Sequence, residues 1–167
     1  MTLWRLEWLR LFRTRRAVAL GVVYAFFGFL GPITARYLGE IIDRFGGDIT
    51  VTVPDPEPID GIAQFAANAQ QVGLLVVVVI AAGALTLRGL PEMTVFLRTR
   101  TASSAELIIP RYAVSTAAAA SGFLLGTGIA WYETAALIGG LPIGSMLLGT
   151  LFGVLYLAFA IAVVAAF

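Results

Sequence analysis

The chain has 167 residues, 59% of them hydrophobic and 13% charged, and its mean hydropathy is +0.92. Soluble domains carry roughly 25% charged residues, so this composition excludes a globular enzyme of ordinary type and indicates an all-α polytopic membrane protein. The formal net charge of +1 gives no reason to propose nucleic acid as a partner.

Residues 1–16 form a basic, amphipathic lead. Trp4, Trp8, Leu11 and Phe12 fall on one helical stripe, with Arg5, Arg10, Arg13, Arg15 and Arg16 set around it. Such a segment suits a helix lying in the membrane interface, indoles at headgroup level and guanidiniums toward anionic lipid. The plainer alternative is a positive flank. A twin-arginine export signal at Arg15-Arg16 does not fit, because no small-residue cleavage site follows.

The first apolar span is expected over about 17–42, with a kink at Pro32 and a possible pair between Arg36 and Glu40, one turn apart. A polar interval over 43–71 follows. It holds a β-like run from Thr50 to Val53 and the alternating prolines Pro54, Pro56 and Pro58, which favour an extended chain. Ile59 to Gln71 can form a short helix feeding the second span, placed over 66–87. A second polar interval covers 88–111. The third span is expected over 112–132, the turn at Gly139-Gly140-Leu141-Pro142, and the fourth span over 143–167. Four spans account for the apolar excess, since about 20 residues cross a bilayer. Two sets of small residues recur at a spacing of four: Ala118, Gly122, Gly126 and Ala130, then Ser145, Gly149 and Gly153. Both predict faces where another helix approaches closely, rather than a substrate lining.

Arginine placement sets the expected orientation. Five precede span one and four lie in the interval from Arg88 to Arg111, against Arg36 and Arg44 between spans one and two. The positive-inside bias therefore predicts a cytoplasmic N-terminus, a cytoplasmic 88–111 interval and an external acidic proline loop.

Several chemistries are excluded by absence. Without His or Cys there is no metal site of those ligands, no disulfide and no Ser-His or Cys-His nucleophile. All 11 basic residues are Arg, so no P-loop lysine exists and any ATP must be bound by a partner. No cofactor or catalytic role is expected of this chain. The Arg-only usage points to a GC-rich bacterial genome, and hence to a bacterial plasma (inner) membrane. The cores of the spans hold no ionisable residue, which argues against a proton-coupled antiporter or an intramembrane aspartyl protease. Glu133, beside Trp131 and Tyr132, reads as interfacial, with a gate or substrate contact as the alternative.

The informative interval is 88–111. Met93, Phe96 and Leu97 form an apolar stripe at i, i+3, i+4, suited to a short helix docking in a groove. Arg98-Thr99-Arg100-Thr101 makes a polar turn. Ser103 or Ser104 can cap a new helix, and Glu106 falls in its first turn, where the macrodipole favours an acid. The alternative is a plain connecting loop.

In this order of elements the chain resembles the permease subunits of type 2 ABC exporters. Their cytoplasmic segment commonly reads as leucines, Ser-Arg-Pro, Ser-Arg, an acid, aliphatics and Gly-Lys. The matching positions are Phe96, Leu97 and Arg98, then Thr99 to Thr101, Ser103-Ser104, Glu106, Leu107 to Ile109, and Pro110-Arg111. Thr101 stands for the usual Pro, Ser104 for the second basic residue and Pro110 for the Gly. The resemblance implies a six-helix permease domain, two of whose helices lie beyond Phe167, with an N-terminal interfacial helix and a cytoplasmic coupling helix. It implies that Met93, Phe96, Leu97, Arg98, Arg100, Ser103 and Glu106 meet a separate ATP-binding cassette subunit, and that the chain pairs with a second copy or a homologue. The competing expectations are a non-transporting membrane scaffold and a small facilitator with its own pore.

Overall fold

The computed structural model describes residues 3–45, 54–85 and 104–166. The β-like run at 50–53 lies outside the described residues, as do Met93, Phe96, Leu97, Arg98, Arg100 and Ser103. The described residues form helices, with no strand among them: α1 (Leu3–Arg13), α2 (Arg16–Phe45), α3 (Pro58–Asn68), a single π-turn (Ala69–Gly73), α4 (Leu74–Leu85), α5 (Ser104–Leu137) and α6 (Ile143–Ala166). Four stretches are long and apolar enough to cross a membrane: 16–44, 58–85, 105–137 and 143–166. The protein is thus a multi-pass, all-helical membrane chain.

Local chemistry explains the boundaries. The α1–α2 corner is made by Arg15, in the left-handed region at φ 56°, and the Thr14 hydroxyl donates to the Arg10 carbonyl at 2.7 Å to close α1. Helix α3 starts earlier than the expected second span. Glu57 and Asp60 form a reciprocal capping box, with the Glu57 N–H donating to Asp60 Oδ2 at 2.9 Å, and Pro58 occupies the first turn. The interval between the first two spans is therefore shorter than 43–71. Helix α5 likewise begins at Ser104 rather than 112 and continues through Pro110, which removes one intrahelical hydrogen bond without ending the helix. Pro32 is accommodated inside α2 in the same way. Its missing N–H leaves the Gly28 carbonyl without an intrahelical donor.

Contacts fix the topology. A Cβ on Gly122 would stand 3.2 Å from the Leu20 carbonyl, and a Cβ on Gly28 would stand 2.6 Å from the Gly126 carbonyl oxygen, so α2 and α5 run parallel. Helices α3–α4 run antiparallel to α2. Phe65 seats against Gly31, the Tyr24 ring against Gly73, and the Arg16 guanidinium near Gly83. Helix α6 returns along α5, where Gly153 meets the Phe123 ring and the Tyr112 hydroxyl donates to the Ala158 carbonyl at 3.2 Å. The alternation matches a chain crossing a bilayer four times. It also segregates charge. Arg5, Arg10, Arg13, Arg15, Arg16 and Arg111 gather at the end that carries α1. Glu40, Asp43, Asp55, Glu57, Asp60 and Glu133 gather at the opposite end, where they outnumber Arg36 and Arg44.

The first small-residue set, Ala118, Gly122, Gly126 and Ala130, is buried, with Gly122 and Gly126 against α2. The second set needs a correction. Gly153 touches Phe123, but Ser145 and Gly149 are exposed and no atom lies within 4 Å of a Cβ on Gly149. Helix α6 is the least buried span and meets the bundle through Leu157 and Ile161 instead. Its glycines therefore have a neighbour at one end only. A second correction concerns Arg36. Its guanidinium lies over the Tyr37 ring at 5.5 Å from the centroid, and no ion pair to Glu40 forms.

At Gly126 a side chain has no room, since even a Cβ would sit 2.5 Å from the Tyr24 carbonyl oxygen. Gly126→Leu is expected to destabilise the chain by about 3 kcal/mol or prevent folding, as overpacking does. Gly149→Leu and the exposed Leu124→Ile should stay within about 0.5 kcal/mol of the parent. Thermal unfolding of the purified protein in detergent checks all three.

Candidate functional site: the ion-paired end of the bundle

The most distinctive polar feature sits where α1 meets α5. Leu11 is buried in the bundle, whereas Trp4, Trp8 and Phe12 are exposed, so α1 shows two apolar sides rather than the single stripe expected. Trp8 stacks on Phe12 with centroids 5.9 Å apart. On the bundle side, Arg111 Nε donates to Glu7 Oε1 at 3.0 Å. The Arg111 side chain is 10% exposed and that of Glu7 13%. Arg10 adds a looser contact to Glu7 at 3.8 Å. Around this pair a cavity of about 10 Å³ is lined by Leu11, Arg16, Ala84, Val114 and Ser115, too small to admit more than a single water.

The physical reason for the pair is burial. A guanidinium on the first turns of an apolar helix cannot be left unpaired away from water. Glu7 is the one acid in the first 39 residues, and the Arg15 corner folds α1 back so that it reaches Arg111. In the sequence Arg111 counted only toward the arginine-rich interval and the Pro110-Arg111 match, and Glu7 had no role. The signal available was the lone acid inside a basic lead, but a partner 104 residues away could not be read from spacing.

Above this end lies an aromatic layer. Tyr24 is fully buried, with Phe123 edge-on to it at 5.6 Å and 85°. Phe123 in turn stacks on Phe65 at 5.8 Å. The Tyr24 hydroxyl has no hydrogen-bond partner. A mostly apolar cavity of about 340 Å³ opens between Tyr24, the π-turn, Phe123 and the α6 residues Phe152 and Tyr156. Among the described residues no group of three or more acidic side chains is placed to hold a metal ion.

Of the residues expected to meet an ATPase, Glu106 alone is described. It lies exposed in the first turn of α5, five residues before Arg111. The ion pair thus stands about two helical turns, ~10 Å, past the point where the 86–103 interval enters α5. No family model, curated protein or solved structure matches the chain.

Removing either partner would strand a charge in a site nearly closed to water. Glu7→Ala or Arg111→Ala should each cost about 3 kcal/mol. The swap Glu7→Arg with Arg111→Glu should recover at least part of that loss. Melting temperatures of the two single variants and the double variant form the cycle that checks it.

Proposed function

We propose that this chain is the membrane-spanning permease subunit of an ATP-driven exporter, drawing its energy from a separate ATP-binding cassette subunit and pairing with a second copy or a homologue. One observation carries the reading. The buried Glu7–Arg111 pair ties α1 to the first turns of α5, and the 86–103 interval enters α5 about two turns earlier on the same helix. A push on that interval would move α1 and α5 together, and through the tight α2–α5 contact it would reach the bundle. A connecting loop has no need of such a linkage.

In this reading α1 lies in the membrane interface. Its exposed Trp4, Trp8 and Phe12 face lipid, and its arginines face anionic headgroups. The arginine-rich end is cytoplasmic, in a bacterial plasma membrane, and the four helices are part of a six-helix domain. Met93, Phe96 and Leu97 would fill a groove on the ATPase, and Arg98, Arg100, Ser103 and Glu106 would set register and encounter rate. Ser145 and Gly149, exposed on α6, also suit a scaffold that binds another membrane protein without transport, and this is the second reading.

Phe96→Ala should cost about 2–4 kcal/mol at the contact, seen as lost co-purification of the ATP-binding subunit or as ATP hydrolysis no longer coupled to transport, with membrane insertion unchanged. Thr99→Ala should do little. Unchanged assembly and coupling in both Phe96→Ala and Arg100→Ala would favour the scaffold. The chain has no native cysteine, so Ser103→Cys gives a clean topology probe. It should resist an impermeant thiol reagent in intact cells and react after lysis.

A further inference from the structure

Between α2 and α5, toward the acidic end, a groove of about 390 Å³ is open on the outside of the bundle. Phe29 forms one wall, Leu125, Ile129 and Tyr132 the other, and Glu133 closes the end. Glu133 has no ion pair or hydrogen bond among the described residues. Arg36 lies further along α2, is engaged with the Tyr37 ring, and does not line the groove.

The recess itself comes from Gly128. Gly122 and Gly126, on the same helix, are glycines because α2 presses against them. Gly128 is exposed, and nothing lies within 4 Å of a Cβ built on it. Within a helix a glycine costs about 1 kcal/mol relative to alanine. Here helix packing gives nothing in return, and the one structural result of the missing side chain is the hollow between Leu125 and Tyr132.

We propose that this groove binds a bulky lipophilic organic cation. The apolar body lies along Phe29, Leu125 and Ile129, the Gly128 hollow receives part of it, and the positive centre rests against the Glu133 carboxylate with the Tyr132 and Phe29 rings beside it. Charge complementarity selects this occupant. A neutral lipid chain would leave the carboxylate unpaired, and an anion would be repelled. Aromatic rings next to a carboxylate favour a large, weakly hydrated cation over a small hydrated one, because the ring quadrupole attracts charge that is already desolvated. The site depends on the groove alone and stands whether or not an ATP-binding subunit works with the chain.

The test uses the purified full chain in an uncharged detergent, with radiolabelled tetraphenylphosphonium as the probe in equilibrium dialysis. Saturable binding is expected, displaced by dodecyltrimethylammonium and not by tetraphenylborate, which has the same shape and the opposite charge. Glu133→Gln should weaken binding about tenfold or more, the effect of losing a charged partner. Gly128→Leu should do the same by filling the hollow, and Gly128→Ala should fall between. None of the three substitutions touches a packed contact, so Glu133→Gln should melt within about 2 °C of the parent and neither Gly128 variant should melt lower, with Gly128→Ala raised by about 2–4 °C. Absence of saturable binding by the parent would overturn the proposal. So would parental affinity in both Glu133→Gln and Gly128→Leu, or displacement by tetraphenylborate. These measurements need no ATPase, so a failure here leaves the Phe96 experiment to judge the permease reading separately.

Discussion

The bundle depends on how closely α2 and α5 approach. Inside a bilayer, lipid solvates leucine as well as a neighbouring helix does, so association comes from backbone-close packing and not from apolar burial. Gly28 and Gly126 supply that closeness, each nearly touching the other helix's backbone. The contact brings Tyr24 fully inside, Phe123 closes on Tyr24, and Phe65 closes on Phe123. Phe65 also needs the notch at Gly31, so the position of α3 follows from the same crossing. Helix α6, which reaches this arrangement chiefly through Gly153, Leu157 and Ile161, is correspondingly the most exposed.

Polar chemistry is confined to the two ends, and the ends differ. At the arginine-rich end Glu7 is buried and paired, and it joins two helices that are far apart in sequence. At the acidic end the described carboxylates are exposed, apart from Glu133, half-buried at the mouth of its groove. A buried pair makes a mechanical joint, since separating it strands two charges. An unpaired carboxylate beside aromatic rings makes a recognition point. The fold thus separates where force would enter from where a ligand would sit.

The spans were legible in the sequence because apolar runs of this length have one physical explanation. Spacing was less informative about partners. Gly122-Gly126 and Ser145-Gly149 have the same period of four, yet only the first pair meets a helix of this chain, because periodicity identifies a face and not what lies opposite it. The helix from Ile59 was legible in the sequence; the Glu57–Asp60 capping box that starts it and the π-turn that joins it to α4 were not, because the neighbouring prolines read as an extended loop and a π-turn has no spacing signal. The long-range pair Glu7–Arg111, the Tyr24–Phe123–Phe65 layer and the hollow at Gly128 depend on which helices become neighbours, and spacing within one helix does not record that. The residues from Met93 to Ser103 lie outside the described structure, and Glu106 marks where they join it.

The π-turn at Ala69–Gly73 has a consequence for phase. Buried positions run Gly61, Phe65, Ala69, Gly73, Val77 and Ala81, always four apart. Along a pure α-helix, five such steps would rotate the inward line by about 200°, because each turn takes 3.6 residues. One extra residue in a wide turn takes back about 100° of that, so α3 and α4 can both keep facing the bundle. Such a turn is also a movable register mark. Shifting it along the helix would rotate the residues between its old and new places by about a quarter turn, with both ends of the helix left in position.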